Sequence, residues 1–158
     1  MPSLMPGMLG AKEAYGISVI KKDKSITIPP KAFKRYELAN QDFVLLTSTH
    51  EGEGGLSILN KEKAYKSILK KIIDEIHKLD TVIWVGKRTY ALTNIIDNKI
   101  ILDDSLLHAF NLKIGDKLLV VKSTTIAISC TPIEIWKKKL VERGFLEAVN
   151  NMNNLKEY

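Results

Sequence analysis

Placing Ser25-Ile26-Thr27-Ile28 over Lys99-Ile100-Ile101-Leu102, an offset of 74 residues, brings two stretches of the chain into phase. The register holds downstream: Tyr36 falls on Phe110, Leu38 on Leu112, Asp42 on Asp116, Val44 on Leu118 and Leu46 on Val120. Upstream, Asp23-Lys24 falls on Asp97-Asn98, a turn pair between two apolar runs in each copy. A repeat of this kind constrains a fold more than any single motif, because each copy is then one supersecondary unit. The chain has 158 residues. A lone unit of about 60 residues buries only ~60% of its extended-chain surface, so two units gain stability by sharing one core.

Each copy reads as hairpin, short helix, hairpin. Residues 17–22 and 89–96 carry the β-branched residues of strands. Asp-Lys or Asp-Asn makes a tight turn into the short strands 25–28 and 99–102. A helix of one to two turns follows, opened by Pro29-Pro30 in the first copy and N-capped by Asp103 or Asp104 in the second. Turns at 40–42 and 113–116 lead into strands 43–48 and 117–122. The second hairpin closes through a long acidic loop, His50 to Gly55, in copy one and through Ser123-Thr124-Thr125 in copy two.

A further helix is expected after each hairpin. Asn60 caps one over 61–78 whose Tyr65, Ile68, Leu69, Ile72, Ile73 and Ile76 form an apolar stripe at helical spacing. Thr131-Pro132-Ile133-Glu134 has the form of a capping box for the other, which Gly144 ends. The stripe predicts packing against Ile135, Trp136 and Leu140, or a homo-oligomer interface with a second chain. Outside the repeat, Thr81 to Val85 reads as an extra strand hairpinned to 89–95, and the asparagine-rich stretch after Val149 reads as disordered. The expected organisation is therefore a flexible leader over 1–14, a first unit with its helix over 15–79, a second over 80–144 and a tail over 145–158.

Net charge is +6, which permits a phosphate-rich partner without requiring one. No stretch approaches the ~20 apolar residues that span a bilayer, so no membrane partner is expected. The single cysteine, Cys130, excludes an internal disulfide and fits a reducing compartment, which predicts a cytoplasmic protein.

The segment Ile26-Thr27-Ile28-Pro29-Pro30-Lys31-Ala32-Phe33-Lys34-Arg35-Tyr36-Glu37-Leu38 resembles the AbrB/SpoVT family of transition-state regulators. Leu112-Lys113-Ile114-Gly115-Asp116-Lys117-Leu118 is similar to the turn of that family that runs leucine, basic residue, any residue, glycine, aspartate. The resemblance covers about 45 residues in each half. It implies an α+β fold, a swapped-hairpin β-barrel formed by two tandem repeats as in MraZ-like proteins, with flanking helices. It also implies DNA binding and transcription regulation. Where DNA-binding members carry arginines, this chain has Ser25, Phe33 and Lys34 in copy one and Lys99, Leu107 and His108 in copy two.

The candidate contacts to double-stranded DNA are Lys21, Lys22, Lys24, Lys31, Lys34 and Arg35 around the first hairpin and helix, with Lys87, Arg88 and Lys99 from copy two. With arginine limited to Arg35, Arg88 and Arg143, backbone and shape recognition are expected to outweigh base reading. The other class of function these features suit is a non-enzymatic protein-interaction or assembly scaffold, antitoxin-like, on the same barrel. No catalytic residue, metal site or cofactor is predicted: His50, His77 and His108 fall in three separate elements, and Asp103-Asp104 is better read as a cap than as an acid–base pair.

Overall fold

The computed structural model describes residues 14–49 and 54–158. Residues 1–13, which make up all but the last residue of the expected leader, and loop residues 50–53 lie outside the described residues.

Among the described residues there are nine strands and six α-helices, and the strands and the two short helices of the repeat follow the predicted order. In copy one β1 (Ala14–Val19) turns into β2 (Ser25–Thr27), then α1 (Pro30–Arg35), then β3 (Phe43–Ser48) and β4 (Leu56–Asn60). In copy two β6 (Arg88–Asn94), β7 (Lys99–Ile101), α4 (Asp104–Ala109), β8 (Lys117–Lys122) and β9 (Ala127–Pro132) repeat that order. Between them lie α2 (Lys61–Tyr65), α3 (Lys70–Asp74) and β5 (Ile83–Val85), and the chain closes with α5 (Ile133–Glu142) and α6 (Leu146–Met152). Pro30 opens α1 at its first turn, and the Asp103 carboxylate accepts from the Leu106 N–H at 2.9 Å to open α4. Both short helices are followed by a left-handed residue, Glu37 (φ 55°) and its repeat-mate Asn111 (φ 53°).

The architecture is α+β with antiparallel pairing throughout its ladders. A seven-stranded sheet runs β1-β8-β9-β4-β3-β6-β5, and β2 pairs with β7 in a separate ribbon. No strand pairing among the described residues closes the sheet into a barrel. The order is the same read from either end once copies are exchanged, apart from β5. The first strand of each copy pairs with the third strand of the other: β1 with β8, and β6 with β3. Ile26 sits opposite its own repeat-mate Ile100, and Ser57 opposite Ser129. The flanking bonds are reciprocal, with Ile28 N–H donating to Asn98 O at 2.7 Å and Leu102 N–H to Lys24 O at 2.9 Å.

Strand alternation puts Val44, Leu46, Leu56, Ile58, Leu118, Val120 and Ile128 on one face of the sheet, in a core shared with Ile26, Ile28, Ile100 and Leu102 of the ribbon. Tyr36, Leu106 and Phe110 from α1 and α4 complete that core, so both copies contribute to it. The opposite face carries two smaller clusters. Ile17, Leu119 and Val121 lie under Ile133, Leu140 and Met152, and Leu45, Leu59, Tyr90 and Leu92 lie under Ala64 and Ile73.

Four expectations need correcting. The single helix over 61–78 is broken into α2 and α3. Ser67 Oγ donates to Ala64 O at 2.6 Å and accepts from Leu69 N–H at 3.1 Å, competing with the helical ladder at the break. The apolar stripe breaks with it: Ile73 is buried and Ile72 and Ile76 pack on the sheet, but Ile68 is 93% exposed. The stripe does not share a cluster with Trp136 and Leu140, which stand on α5 and cluster with Ile17, Leu119 and Val121 of the sheet. Thr131 caps nothing, because it lies in β9 opposite Leu119, and Pro132 occupies the N-cap of α5 without a side-chain bond. Gly144 does end α5, with φ 77°, Phe145 N–H on Leu140 O and Gly144 N–H on Val141 O.

The stretch read as disordered is also ordered. After α6 the chain returns to the free edge of β1, where Ile17 N–H donates to Lys156 O at 2.9 Å and Val19 N–H to Tyr158 O at 3.0 Å. Gly16 (φ 147°) makes the approach fit, since a Cβ there would stand 2.8 Å from Tyr158 Cε2 and 3.0 Å from Lys156 O. Gly16→Ala is therefore expected to lower stability by about 1–3 kcal/mol in chemical denaturation and to expose the C-terminus to carboxypeptidase. The control Gly86→Ala, with nothing within 4 Å of its Cβ, should leave carboxypeptidase resistance intact. Equal cleavage of both variants would contradict the docked tail. Ile26→Ala and Ile100→Ala should each cost about 2–5 kcal/mol, and the double variant should depart from additivity because the two side chains face each other.

Candidate nucleic-acid interface

Three of the candidate cations stand on one short helix. Lys31, Lys34 and Arg35 are exposed on α1 at spacings of three and four, which puts them on one face. No ion pair among the described residues engages them or Lys22. Lys22 is exposed in a turn held by Asp23, whose Oδ1 accepts from Ser25 N–H at 3.0 Å and Ser25 Oγ at 2.6 Å. Those two bonds hold the Asp23 carboxyl below its ordinary range.

Lys21 and Lys99 meet on the ribbon. Lys21 Nζ donates to Thr27 Oγ1 at 2.9 Å, and Thr27 is the direct partner of Lys99 across the β2–β7 ladder. Lys24 is committed elsewhere, with its Nζ 2.8 Å from Asp104 Oδ1 in the first turn of α4. Lys87 and Arg88 lie at the other end of β6 from Lys99. Seven residues of strand, at about 3.3 Å each, separate the two ends by roughly 20 Å. The structure thus brings together Lys21 with Lys99, and Lys31 with Lys34 and Arg35, and holds Lys87 and Arg88 apart.

The sequence reading missed the acids beside this surface. Asp23, Asp80, Asp97 and Asp103 border a groove of about 710 Å³ along the ribbon, together with Lys99 and the exposed Ile96 and Ile101. Part of this was visible in the repeat itself. Residues 20–37 hold six basic and two acidic side chains, whereas their mates at 94–111 hold one basic and three acidic. The two matched segments therefore carry net charges of opposite sign.

Other candidates fall outside any site. His77 and His108 are exposed and His50 lies outside the described residues. No group of three or more His, Cys, Asp or Glu able to hold a metal occurs among the described residues. No helix among them is long and apolar enough to cross a membrane. Tyr65 and Asp74 join α2 to α3 through a hydrogen bond that pushes the tyrosine hydroxyl above its ordinary value.

No protein-family model matches the chain, and no curated protein matches it.

Cys130 is fully buried in the main core, and burial pushes its thiol from 9.0 up to about 12. The native protein should therefore resist a thiol-specific reagent at pH 8 and react with one equivalent once denatured. A thiolate forms in the unfolded chain near pH 9 and in the folded one only near 12. The unfolded state thus loses its proton first, and this group erodes stability as pH rises through that window. Fast stoichiometric labelling of native protein would show the site is open.

Proposed function

We propose that the protein is a DNA-binding transcriptional regulator of AbrB type that docks on the duplex through one half of the molecule. The observation that carries this reading is the exposed face of α1, where Lys31, Lys34 and Arg35 stand clear of every ion pair among the described residues, as does Lys22 in the β1–β2 turn. Lys21 and Lys99 extend the positive surface onto the ribbon. Lysines arranged this way act on phosphates as point charges, so affinity is dominated by counterion release and DNA shape, with little base discrimination. The fold reading that goes with it is a swapped-hairpin barrel within one chain. It is supported by the exchange of strands between copies and by Ile26 facing Ile100. On the same reading the protein works in the cytoplasm, where its target is.

A specific observation favours a second reading, a protein-interaction scaffold. The groove that holds Asp23, Asp80, Asp97 and Asp103 beside exposed Ile96 and Ile101 repels phosphate and suits a basic, partly apolar segment of another protein.

Titration of labelled duplex at two salt concentrations separates the two. Binding should fall steeply with salt. Lys22→Glu with Lys34→Glu should weaken it at low salt without unfolding the protein, and should reduce the log–log salt slope by about one for each phosphate no longer neutralised. Unchanged affinity in that double variant would sink the assignment of this face. No binding at low salt, with a stoichiometric protein partner on pull-down, would establish the scaffold.

A further inference from the structure

The segment that covers β1 hangs from the rest of the chain by a short connection. Residues 156–158 pair with Ile17 and Val19, where Tyr158 N–H also donates to Ile17 O at 2.7 Å, and Glu157 meets Lys117. Ahead of them α6 is anchored by Met152, fully buried in a cluster with Ile17, Leu119, Ile133 and Leu140. All of these contacts are made by residues beyond the three-residue connection Arg143-Gly144-Phe145 that joins α5 to α6.

Gly144 sets the direction of that connection. Its φ is 77°, and a Cβ on it would meet nothing within 4 Å. On either side stand good helix formers, Leu140, Glu142 and Arg143 before it and Leu146 and Glu147 after it. The turn holds two backbone bonds, Gly144 N–H to Val141 O and Phe145 N–H to Leu140 O. An unbroken helix would hold two as well, Gly144 N–H to Leu140 O and Phe145 N–H to Val141 O, so straightening orphans no backbone group. In that helix Met152 stands twelve residues past Leu140, about 18 Å along the axis, and cannot share a cluster with it. The straightened α6 and the residues after it then need the sheet of another molecule. Two exposed apolar side chains, Val141 (53%) and Leu146 (61%), flank the turn at which two such helices would cross.

We propose that two molecules of this protein exchange α6 and residues 153–158. α5 and α6 straighten at Gly144 into one helix, and each molecule lays its residues 156–158 along β1 of the other. The dimer repeats every contact that the segment makes in the closed form. What opposes it is the lost independent motion of two molecules, so concentration and the preference of the hinge decide the balance. The fold already uses such an exchange internally, where β1 pairs with β8 and β6 with β3. On the duplex-docking reading the dimer carries two α1 faces, but the exchange does not rest on that reading and is measured without DNA.

Sedimentation velocity of the full chain over a wide range of concentration tests this, with circular dichroism to establish that each variant is folded. Gly144→Ala should raise the association constant about a hundredfold, since alanine disfavours the closed turn and favours the helix by about tenfold in each of the two molecules. Gly144→Asn, which tolerates the left-handed conformation, should raise it far less. Lys117→Glu and Glu157→Lys then separate exchange from simple surface contact. Added singly to Gly144→Ala, each sets like charges against one another wherever residues 156–158 dock. Mixed, each finds the opposite charge on the other molecule, so mixed dimers should exceed the statistical proportion by about threefold or more. The same mixture with the native hinge at high concentration gives the same reading without Gly144→Ala. A folded Gly144→Ala chain that associates no more than the native one overturns the proposal, as does a purely statistical mixture of dimers.

Discussion

The β2–β7 ladder, three residues on each side, holds Ile26 against its own repeat-mate Ile100, and the rest of the molecule is organised about that contact. Strands this short are not stable as an isolated ribbon. They persist here because Ile26, Ile28, Ile100 and Leu102 all reach the core beneath them. The same crossing sends each copy's first strand into the other copy's sheet. Neither half can therefore satisfy its own backbone, because β1 has its ladder partner in β8 and β6 has one in β3. Folding of the two halves is coupled by hydrogen bonding as well as by burial.

Exchanging strands leaves two outer edges, on β1 and β6, and an uncovered edge is a site for pairing with another chain. The two are covered by different means. β5 adds a three-residue antiparallel strand along the first three residues of β6, and residues 156–158 lie along β1. The second solution depends on Gly16, whose missing side chain is the space that Tyr158 occupies. Lys117, next to β1 in the sheet, reaches Glu157 Oε1 at 2.7 Å, and this ion pair is exposed enough to count for alignment more than for stability.

Much of this was legible in the sequence, and the parts that were not have physical reasons. Strands and turns were readable because β-branched alternation and Asp-Lys or Asp-Asn turns act locally. The break at Ser67 was hidden because the stripe around it is helical in period, while a side-chain bond to Ala64 O decides the backbone. The C-terminal segment was misread because composition reports only what a segment buries by itself, and here the partner is a strand about 140 residues earlier. At the candidate interface, the cations were identified from sequence, but their counter-charges were not. Lys24 meets Asp104 only because the ribbon crosses, and the four aspartates of the groove come from separate turns of the two copies and from the linker between them.

The two copies have diverged on the surface while agreeing in the core. Tyr36 and Phe110, Leu38 and Leu112, Val44 and Leu118, and Leu46 and Val120 are buried at matching places, since the shared core tolerates only apolar exchanges of similar volume. Outside it, Lys31 faces solvent where its mate is Ser105, and Arg35 where its mate is Ala109. A dimer of identical units cannot change one face without changing the other. Fusion of two units into one chain removes that constraint. One copy is then free to keep basic residues on its hairpin and short helix while the matching segment of the other carries more acids than bases and an extra strand lies on β6, with the interlocked backbone unchanged.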